Sequence, residues 1–402
     1  MSRLTKKHIV YLDNAASTLI HPRVIKKMTE SLSLFGNPSS FNDPGREANN
    51  LLESSRRKIA DFIGSKVEEV MFTSSGSEAN NLAIFGLART YKKPAEIITT
   101  PIEHSSVLEP FKILKSQGWK ITYLKIDREG LVDLKDLGKK LDPKVKLVSI
   151  IYANNEIGTI QPVVKISKII KDFNNKLGIH GTKHVLFHVD ACQATNFLDM
   201  NVNNLGVDLM TFNGSKVYGP KGVGVLYARR GVPLRPIIVG GDQERGMRAG
   251  TENLLAIVGL AEAISLIRRD SSKKMVSPRD YFIVQVRKAL PGIRINGPSG
   301  NMRLANNINI SIPGLSSENI LLELDKYGIY ASAGSACTSR SVEPSHVLKS
   351  IGVERKYLSG ALRFSLGRNT TKEDLNYVLR LLPKVVKDLE RRYNKNRSLP
   401  SP

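Results

Sequence analysis

Cys337 is one of only two cysteines in a chain of 402 residues. It stands in Ser332-Ala333-Gly334-Ser335-Ala336-Cys337-Thr338-Ser339, where every neighbour is small or hydroxylated. A packing cysteine usually lies in an apolar run. A thiol in this setting is open to a partner, although a lone thiol can equally be inert. Lys216 is the second chemical residue, in Asn213-Gly214-Ser215-Lys216-Val217-Tyr218-Gly219-Pro220-Lys221-Gly222. An apolar run delivers it into a tight turn of small residues. A desolvated lysine has a lowered pKa and can form a Schiff base.

Two further stations surround these. Thr73-Ser74-Ser75-Gly76-Ser77-Glu78-Ala79-Asn80 reads as a strand end, a turn and a helix start. Free N–H groups and the helix dipole make such a start an anion site. No lysine follows the glycine, so this is not a P-loop, and an ordinary capped helix is its plain alternative. In His188-Val189-Asp190-Ala191-Cys192-Gln193, an acid ends an apolar strand, where it can hold a protonated ring nitrogen. His188, Asp190 and Cys192 also raise the question of a metal. No second ligand pair is spaced to help, so no metal is expected. Cys192, near Ala191 and Ala194, is expected to be buried and unreactive. A lysine, a ring-nitrogen acid and a phosphate cradle together fit pyridoxal 5'-phosphate (PLP).

The elements that must hold these stations are short apolar runs alternating with helical patterns. Strands are expected at Glu69–Thr73, Glu96–Thr100, Lys120–Leu124, Lys146–Tyr152, Val185–Val189, Leu209–Phe212 and Val223–Tyr227. Helical patterns fall at Ser77–Arg89, Ser105–Ser116 and Val164–Asn174. This alternation predicts an α/β fold with a largely parallel sheet covered on both faces, and ligands at the strand ends. After about residue 260 helices dominate: Asn253–Arg269, Tyr281–Leu290, Ser317–Asp325 and Lys372–Arg391. Strand candidates there are Asn306–Ile312 and Ala361–Ser365, and Pro291–Met302 reads as a loop. A smaller α+β C-terminal domain is expected, as the length also favours two domains.

Composition narrows the class. An apolar fraction of 41% with 31 glycines fits a globular protein. Two cysteines make no disulfide framework, which points to a reducing, cytoplasmic setting. The start, Met1 to His8, is short and basic, unlike a signal peptide. Leu254–Ile267, the longest apolar stretch, is too short to span a bilayer. The net charge of +23 crowds at Lys165–Lys176 and Lys384–Arg397 without interleaved aromatics. It reads as a solvated basic surface, suited to an acidic partner rather than to direct nucleic-acid binding.

Taken in order along the chain, the motifs resemble the cysteine desulfurases of the class V aminotransferase family, within the fold type I PLP enzymes. The resemblance runs from Tyr11-Leu12-Asp13-Asn14-Ala15-Ala16-Ser17-Thr18 to Arg363-Phe364-Ser365-Leu366-Gly367-Arg368. It includes Gly36-Asn37-Pro38-Ser39-Ser40, Glu103-His104-Ser105-Ser106, Asn154-Asn155-Glu156-Ile157-Gly158 and Arg245-Gly246-Met247-Arg248-Ala249-Gly250-Thr251. The Gly334-Ser335-Ala336-Cys337 loop carries the subclass, in a form similar to the long-loop housekeeping group. A selenocysteine lyase or another class V aminotransferase-type enzyme is the alternative on the same scaffold.

What the resemblance implies is specific. Lys216 would hold PLP and act as base, with Asp190 on the ring nitrogen. Gln193 and Asn155 would meet the phenolic oxygen side, and His104 would stack on the ring. Gly76 and Ser77, with Asn213 and Ser215, would bind around the phosphate, and Thr251 would reach the phosphate of a neighbouring subunit in a homodimer. Arg363, with Asn155 and Asn14, would hold the substrate L-cysteine. Cys337 would take the sulfur as a persulfide, leave L-alanine, and pass the sulfur to an iron–sulfur scaffold or sulfur carrier. The implied organisation is a large domain over 16–260 with a mostly parallel seven-stranded sheet. A small domain spans 261–393 and is joined by 1–15, and a polar tail covers 394–402. Three positions depart from the family pattern: Ser215 and Asn42 stand where histidine is usual, and Asn213 where serine is. Neither Ser215 nor Asn42 titrates near neutrality, so proton traffic is where a difference is expected.

Overall fold

The computed structural model describes residues 8–178, 184–334 and 344–397. A two-residue strand, β1 (Val10–Tyr11), precedes the seven strands of the main sheet. These are β2 (Val70–Thr73), β3 (Glu96–Thr99), β4 (Lys120–Tyr123), β5 (Val145–Ile151), β6 (Leu186–Asp190), β7 (Leu209–Asn213) and β8 (Gly224–Ala228). Their spatial order is β2-β8-β7-β6-β5-β3-β4. Strand β8 runs antiparallel to both its neighbours, and the other pairings are parallel.

Side-chain alternation splits the core into two layers. Val148, Ile150, Phe187, Val189, Met210 and Phe212 face one layer, covered by helices Asp43–Ile63, Val163–Lys176 and Leu254–Ser265. Leu147, Leu186, Leu209 and Leu226 face the other, under helices Gly76–Ala88 and Ser105–Ser116. The central strands are therefore buried on both sides, which is why they read as continuous apolar runs. Edge strand β4 is blunted: Lys120 is exposed and pairs with Glu96 at 3.0 Å.

The second body carries a three-stranded antiparallel sheet. Its strands are β9 (Arg294–Ile295), β10 (Asn307–Ser311) and β12 (Ala361–Ser365), in the order β12-β10-β9. Helices Arg269–Ala289, Ser317–Lys326 and Lys372–Arg397 enclose a separate core around Phe282, Leu324, Phe364 and Val378. Strand β1 pairs in parallel with β11 (Ile329–Tyr330), so the chain's first strand belongs to this core.

All seven main strands form within a residue or two of their expected bounds. The differences lie where polar starts hide apolar faces. Helix Asp43–Ile63 opens on Asp-Pro-Gly yet buries Ala48, Leu52, Ile59 and Ile63. The expected helix Asn253–Arg269 stops at Ser265, and the next begins at Arg269, earlier than Tyr281. Strand β9 falls inside the expected loop Pro291–Met302.

A buried ion pair fixes one loop against the sheet. Arg56, on Asp43–Ile63, donates through Nη1 and Nη2 to Glu244 Oε2 and Oε1 at 2.7 and 2.9 Å. Glu244 Oε2 also accepts from the Phe72 N–H at 2.9 Å. Glu244 and Arg245 have φ of +49° and +57°, unfavourable for residues with a Cβ. The ion pair holds that strained turn in place. Glu244→Ala is expected to cost about 3–5 kcal/mol in urea unfolding, because it leaves the buried guanidinium only the half-exposed Glu53 as a charged partner. Glu53→Ala, removing a half-exposed partner of the same arginine, should cost under about 1 kcal/mol.

Candidate active site

One cavity opens at the carboxyl ends of the parallel strands, the usual ligand position in open α/β sheets. It is lined by Ala15, Ala16, Gly76, Ser77, Asn80, His104, Ser106, Ile151, Asn155, Asp190, Cys192, Gln193, Asn213, Lys216 and Arg363. Nine of these were expected from the sequence.

Each residue arrives on its own element. Lys216 ends a 3-10 turn, Gly214–Lys216, directly after β7. Its Nζ donates to the Ala16 carbonyl. Two residues on, Tyr218 takes φ +62°, its N–H donates to Thr18 Oγ1 at 2.8 Å, and Arg368 lies 4.3 Å from its ring centre. Those contacts hold the turn in a conformation a tyrosine rarely adopts. Asp190 ends β6 and is buried. Its Oδ2 accepts from Asn80 Nδ2 at 2.9 Å and its Oδ1 from the Cys192 N–H at 3.0 Å.

Gly76 starts helix Gly76–Ala88, capped by Ser75. A Cβ at Gly76 would fall 2.6 Å from Cys192 Sγ and 2.9 Å from Asn213 Nδ2, so no side chain fits there. The helix's first N–H groups thus border the cavity, with the exposed Ser77 beside them. His104 caps helix Ser105–Ser116: its Nδ1 accepts from the Ser106 N–H at 3.1 Å and meets Ser106 Oγ at 2.8 Å.

The N-terminal segment closes one wall. Ala15 O accepts from Gln193 Nε2 at 2.8 Å, and Ala16 O from Lys216. Arg363, on β12, is 1% exposed and completes the opposite wall. Its Nη2 pairs with Asp13 Oδ1 at 2.9 Å and its Nη1 donates to Asn155 O at 3.0 Å. Its buried Nε has no partner among the described residues.

Other expected residues lie elsewhere. Asn14 does not line the cavity; its amide donates to Ser365 O at 2.9 Å and packs against Gly367. Thr251 is exposed and away from the cavity, and Ser215 stands beside it, donating to Asn213 Oδ1 at 3.3 Å. Asn42 is exposed and caps helix Asp43–Ile63, its Oδ1 accepting from the Gly45 N–H at 2.9 Å. Cys337 lies outside the described residues. Sequence reasoning missed Asp13, Asn80 and Ser106 as cavity-building residues. All three stood inside quoted motifs, but only the fold shows Asn80 bridging Ser106 and Asp190.

The electrostatics beneath the cavity are set by burial. Glu103 is wholly buried, and burial pushes its carboxyl up to about 8, against hydrogen bonds from Thr100 Oγ1 and the Ile151 N–H. Burial pushes His188 down to about 4, so its imidazole is neutral at physiological pH. Burial also raises the Cys192 thiol, with Asp190 adding to it, which disfavours a thiolate there, although Cys192 is half-buried at the cavity wall rather than fully buried as expected. No cluster of three metal-ligating side chains exists among the described residues.

A lysine, a buried acid and a side-chain-free helix start converging on one cavity define the site class of a PLP enzyme. Gly76 supplies the test: where a Cβ would block the cradle there is none, and Lys216 and Asp190 both face the space beyond. The residues present fit the cofactor. The chain belongs to the aminotransferase class-V family, whose profile matches residues 10–378, and members of the family depend on PLP. It is 46% identical over 388 residues to the cysteine desulfurase IscS of Dictyoglomus turgidum, covering 95% of this chain and 96% of that one. A solved NifS-like protein superposes with a TM-score of 0.87 at 37% identity, covering 94% of this chain and all of that one. The structure of SspA in complex with cysteine superposes at 0.76 with 32% identity, covering 90% of this chain and 100% of that one.

Two measurements check this site. Folded Glu103 binds a proton that unfolded Glu103 releases above about its ordinary value of 4.5. Its contribution is therefore whole below that value and is lost as pH rises through about 8. Glu103→Gln should flatten the decline of unfolding free energy across that window. Asn42→Ala should cost about 1 kcal/mol of stability as a lost helix cap. The cofactor's visible absorbance should be unchanged in that variant.

Proposed function

We propose that the chain is a PLP-dependent cysteine desulfurase. It converts L-cysteine to L-alanine and leaves the sulfur as a persulfide on Cys337. The observation that carries this reading is the convergence of Lys216, Asp190 and Arg363 on one cavity whose relatives are named cysteine desulfurases. When bound, PLP supplies an electron sink that loosens bonds at the substrate's Cα.

The chain's own residues do the rest. Lys216 Nζ holds the cofactor and takes the Cα proton, with the Ala16 carbonyl orienting it. Asp190, held by Asn80 and the Cys192 N–H, would pair with the ring nitrogen. The Gly76–Ser77 helix start, with Asn213, would hold the phosphate. Asn155 and Gln193 would meet the phenolic side of the cofactor, and His104 would cover its ring face. Nδ1 of His104 accepts the Ser106 N–H, which leaves the ring's proton on Nε2. Arg363 meets the substrate carboxylate, its guanidinium held by Asp13 and Asn155 O. The Cys337 thiolate attacks the sulfur of the substrate. An S–S bond forms, the C–S bond breaks, and the carbon fragment gains a proton and leaves as alanine.

This reading extends to partners. Leu32, Phe35 and Phe41 are exposed apolar residues that a second copy would cover, which supports a homodimer with Thr251 at the shared site. The sulfur goes to an iron–sulfur scaffold or a sulfur carrier, and the +23 charge suits an acidic acceptor. The division into a large domain over 16–260 and a small one over 261–393, joined by 1–15, follows the two separate cores. No helix among the described residues is long and apolar enough to cross a membrane, and we place the enzyme in the cytoplasm from its cysteine usage.

Cys337→Ser should abolish sulfur transfer while the cofactor's visible band remains. Retained alanine production from L-cysteine in that variant would overturn the assignment. Arg363→Lys should raise KM for L-cysteine about 10- to 100-fold, the scale of a charged hydrogen bond lost.

A further inference from the structure

Glu156 lies next to the cavity-lining Asn155 and is 1% exposed. Its backbone is rigidly held. The Glu156 N–H donates to Asn154 Oδ1 at 2.9 Å, and its carbonyl accepts from Asn307 Nδ2 and Asn309 Nδ2 at 2.9 and 3.1 Å. The side chain is therefore aimed by a frame shared between both bodies of the fold. Its Oε2 accepts from Ser345 Oγ at 2.6 Å. Gly334 lies near the same oxygen. A Cβ at Gly334 would fall 3.1 Å from Glu156 Oε2 and 3.8 Å from Ser345 Cβ, and its φ is +58°.

Gly334 and Ser345 thus both lie near Glu156 Oε2, and Ser345 is hydrogen-bonded to it. Cys337 lies between those two points in the sequence. The chain is pinned again one residue after Ser345, where His346 Nε2–H donates to Glu103 O at 3.0 Å, beside His104. Ser345 Oγ serves twice, accepting from the Leu348 N–H at 3.2 Å while its own proton goes to Glu156. A buried carboxylate is costly unless its oxygens are used, so the position is tied to this contact.

We propose that Glu156 is a positioning residue that clasps Ser345, the C-terminal root of the Cys337 segment, and thereby sets how its thiolate meets the substrate sulfur. The proposal rests on the desulfurase reading and adds to it a residue outside the cofactor's contacts. Misplacement of a reacting atom by about 1 Å costs on the order of 100-fold in rate.

The test compares cofactor-loaded wild type with Glu156→Ala, Ser345→Ala, Ser345→Asp and Ser345→Thr in single turnovers with L-cysteine. One readout is the change of the visible band on mixing, which reports substrate meeting the cofactor. The other is the rate at which Cys337 gains one sulfur, by mass spectrometry. Both alanine variants should keep the band change and gain sulfur about ten-fold or more slowly. Ser345→Asp keeps the helix cap but sets a second carboxylate against Glu156, and should be as slow. Ser345→Thr should recover the wild-type rate. Sulfur gain at the wild-type rate in Ser345→Ala and Ser345→Asp would overturn the clasp, even if Glu156→Ala fails to fold. So would a band change that slows in step with sulfur gain. Wild type that changes its band yet never loads Cys337 would overturn the desulfurase reading itself.

Discussion

The pairing of Asp13 with Arg363 is the contact on which the site depends. Asp13 follows β1, which is paired to β11 in the smaller body, and Arg363 is on β12. Asp13 Oδ1 takes both Arg363 Nη2 and Ser332 Oγ at 2.9 Å. With the segment fixed there, Ala15 and Ala16 present their carbonyls to Gln193 and Lys216 on the larger body. This short stretch bridges the two cores, as does the cluster in which Ile102 and Ile157 meet Val347 and Leu348. An arginine this buried would be costly without a charged partner, so the pair also locks the relation between the two walls of the cavity.

Beneath those walls, the parallel sheet concentrates polar groups at one edge. Asp190 lies beside Ile151 in register, and Ile151 carries the N–H that Glu103 accepts. Two carboxyls close together in a buried region cannot both ionise cheaply. The outcome is divided by environment. Asp190 is supplied with N–H donors from Asn80 and Cys192, whereas Glu103 has one oxygen without a partner among the described residues and holds its proton up to about 8. His188, two residues before Asp190, stays neutral between Ser149 and Thr211.

Much of this was legible in the chain. The strands of the main sheet are apolar on both faces, so continuous runs marked them, and Lys216, Asp190 and Gly76 stood just past three of those runs. The polar helix starts were harder to read. Asp43-Pro44-Gly45 resembles a turn, yet it opens a helix because Asn42 caps it and Pro44 sits in the first turn, where its missing N–H is no loss. That same cap explains Asn42: its side chain serves the helix rather than the cavity. Asn14 stood in a motif with cavity residues, but β-bridge geometry at Asp13 turns its amide toward Ser365.

By itself the sequence determined which residue types stand at the ends of which strands, because strand periodicity and turn chemistry are local properties. It also carried the family and, through it, the cofactor. Only the tertiary structure decided which polar groups share a partner. Asp13 with Arg363, Asn80 with Asp190, and Glu156 with Ser345 are separated by 350, 110 and 189 residues. No local pattern records such pairs, since they exist only when two cores have packed and a buried charge or amide must be satisfied by whatever the fold brings beside it.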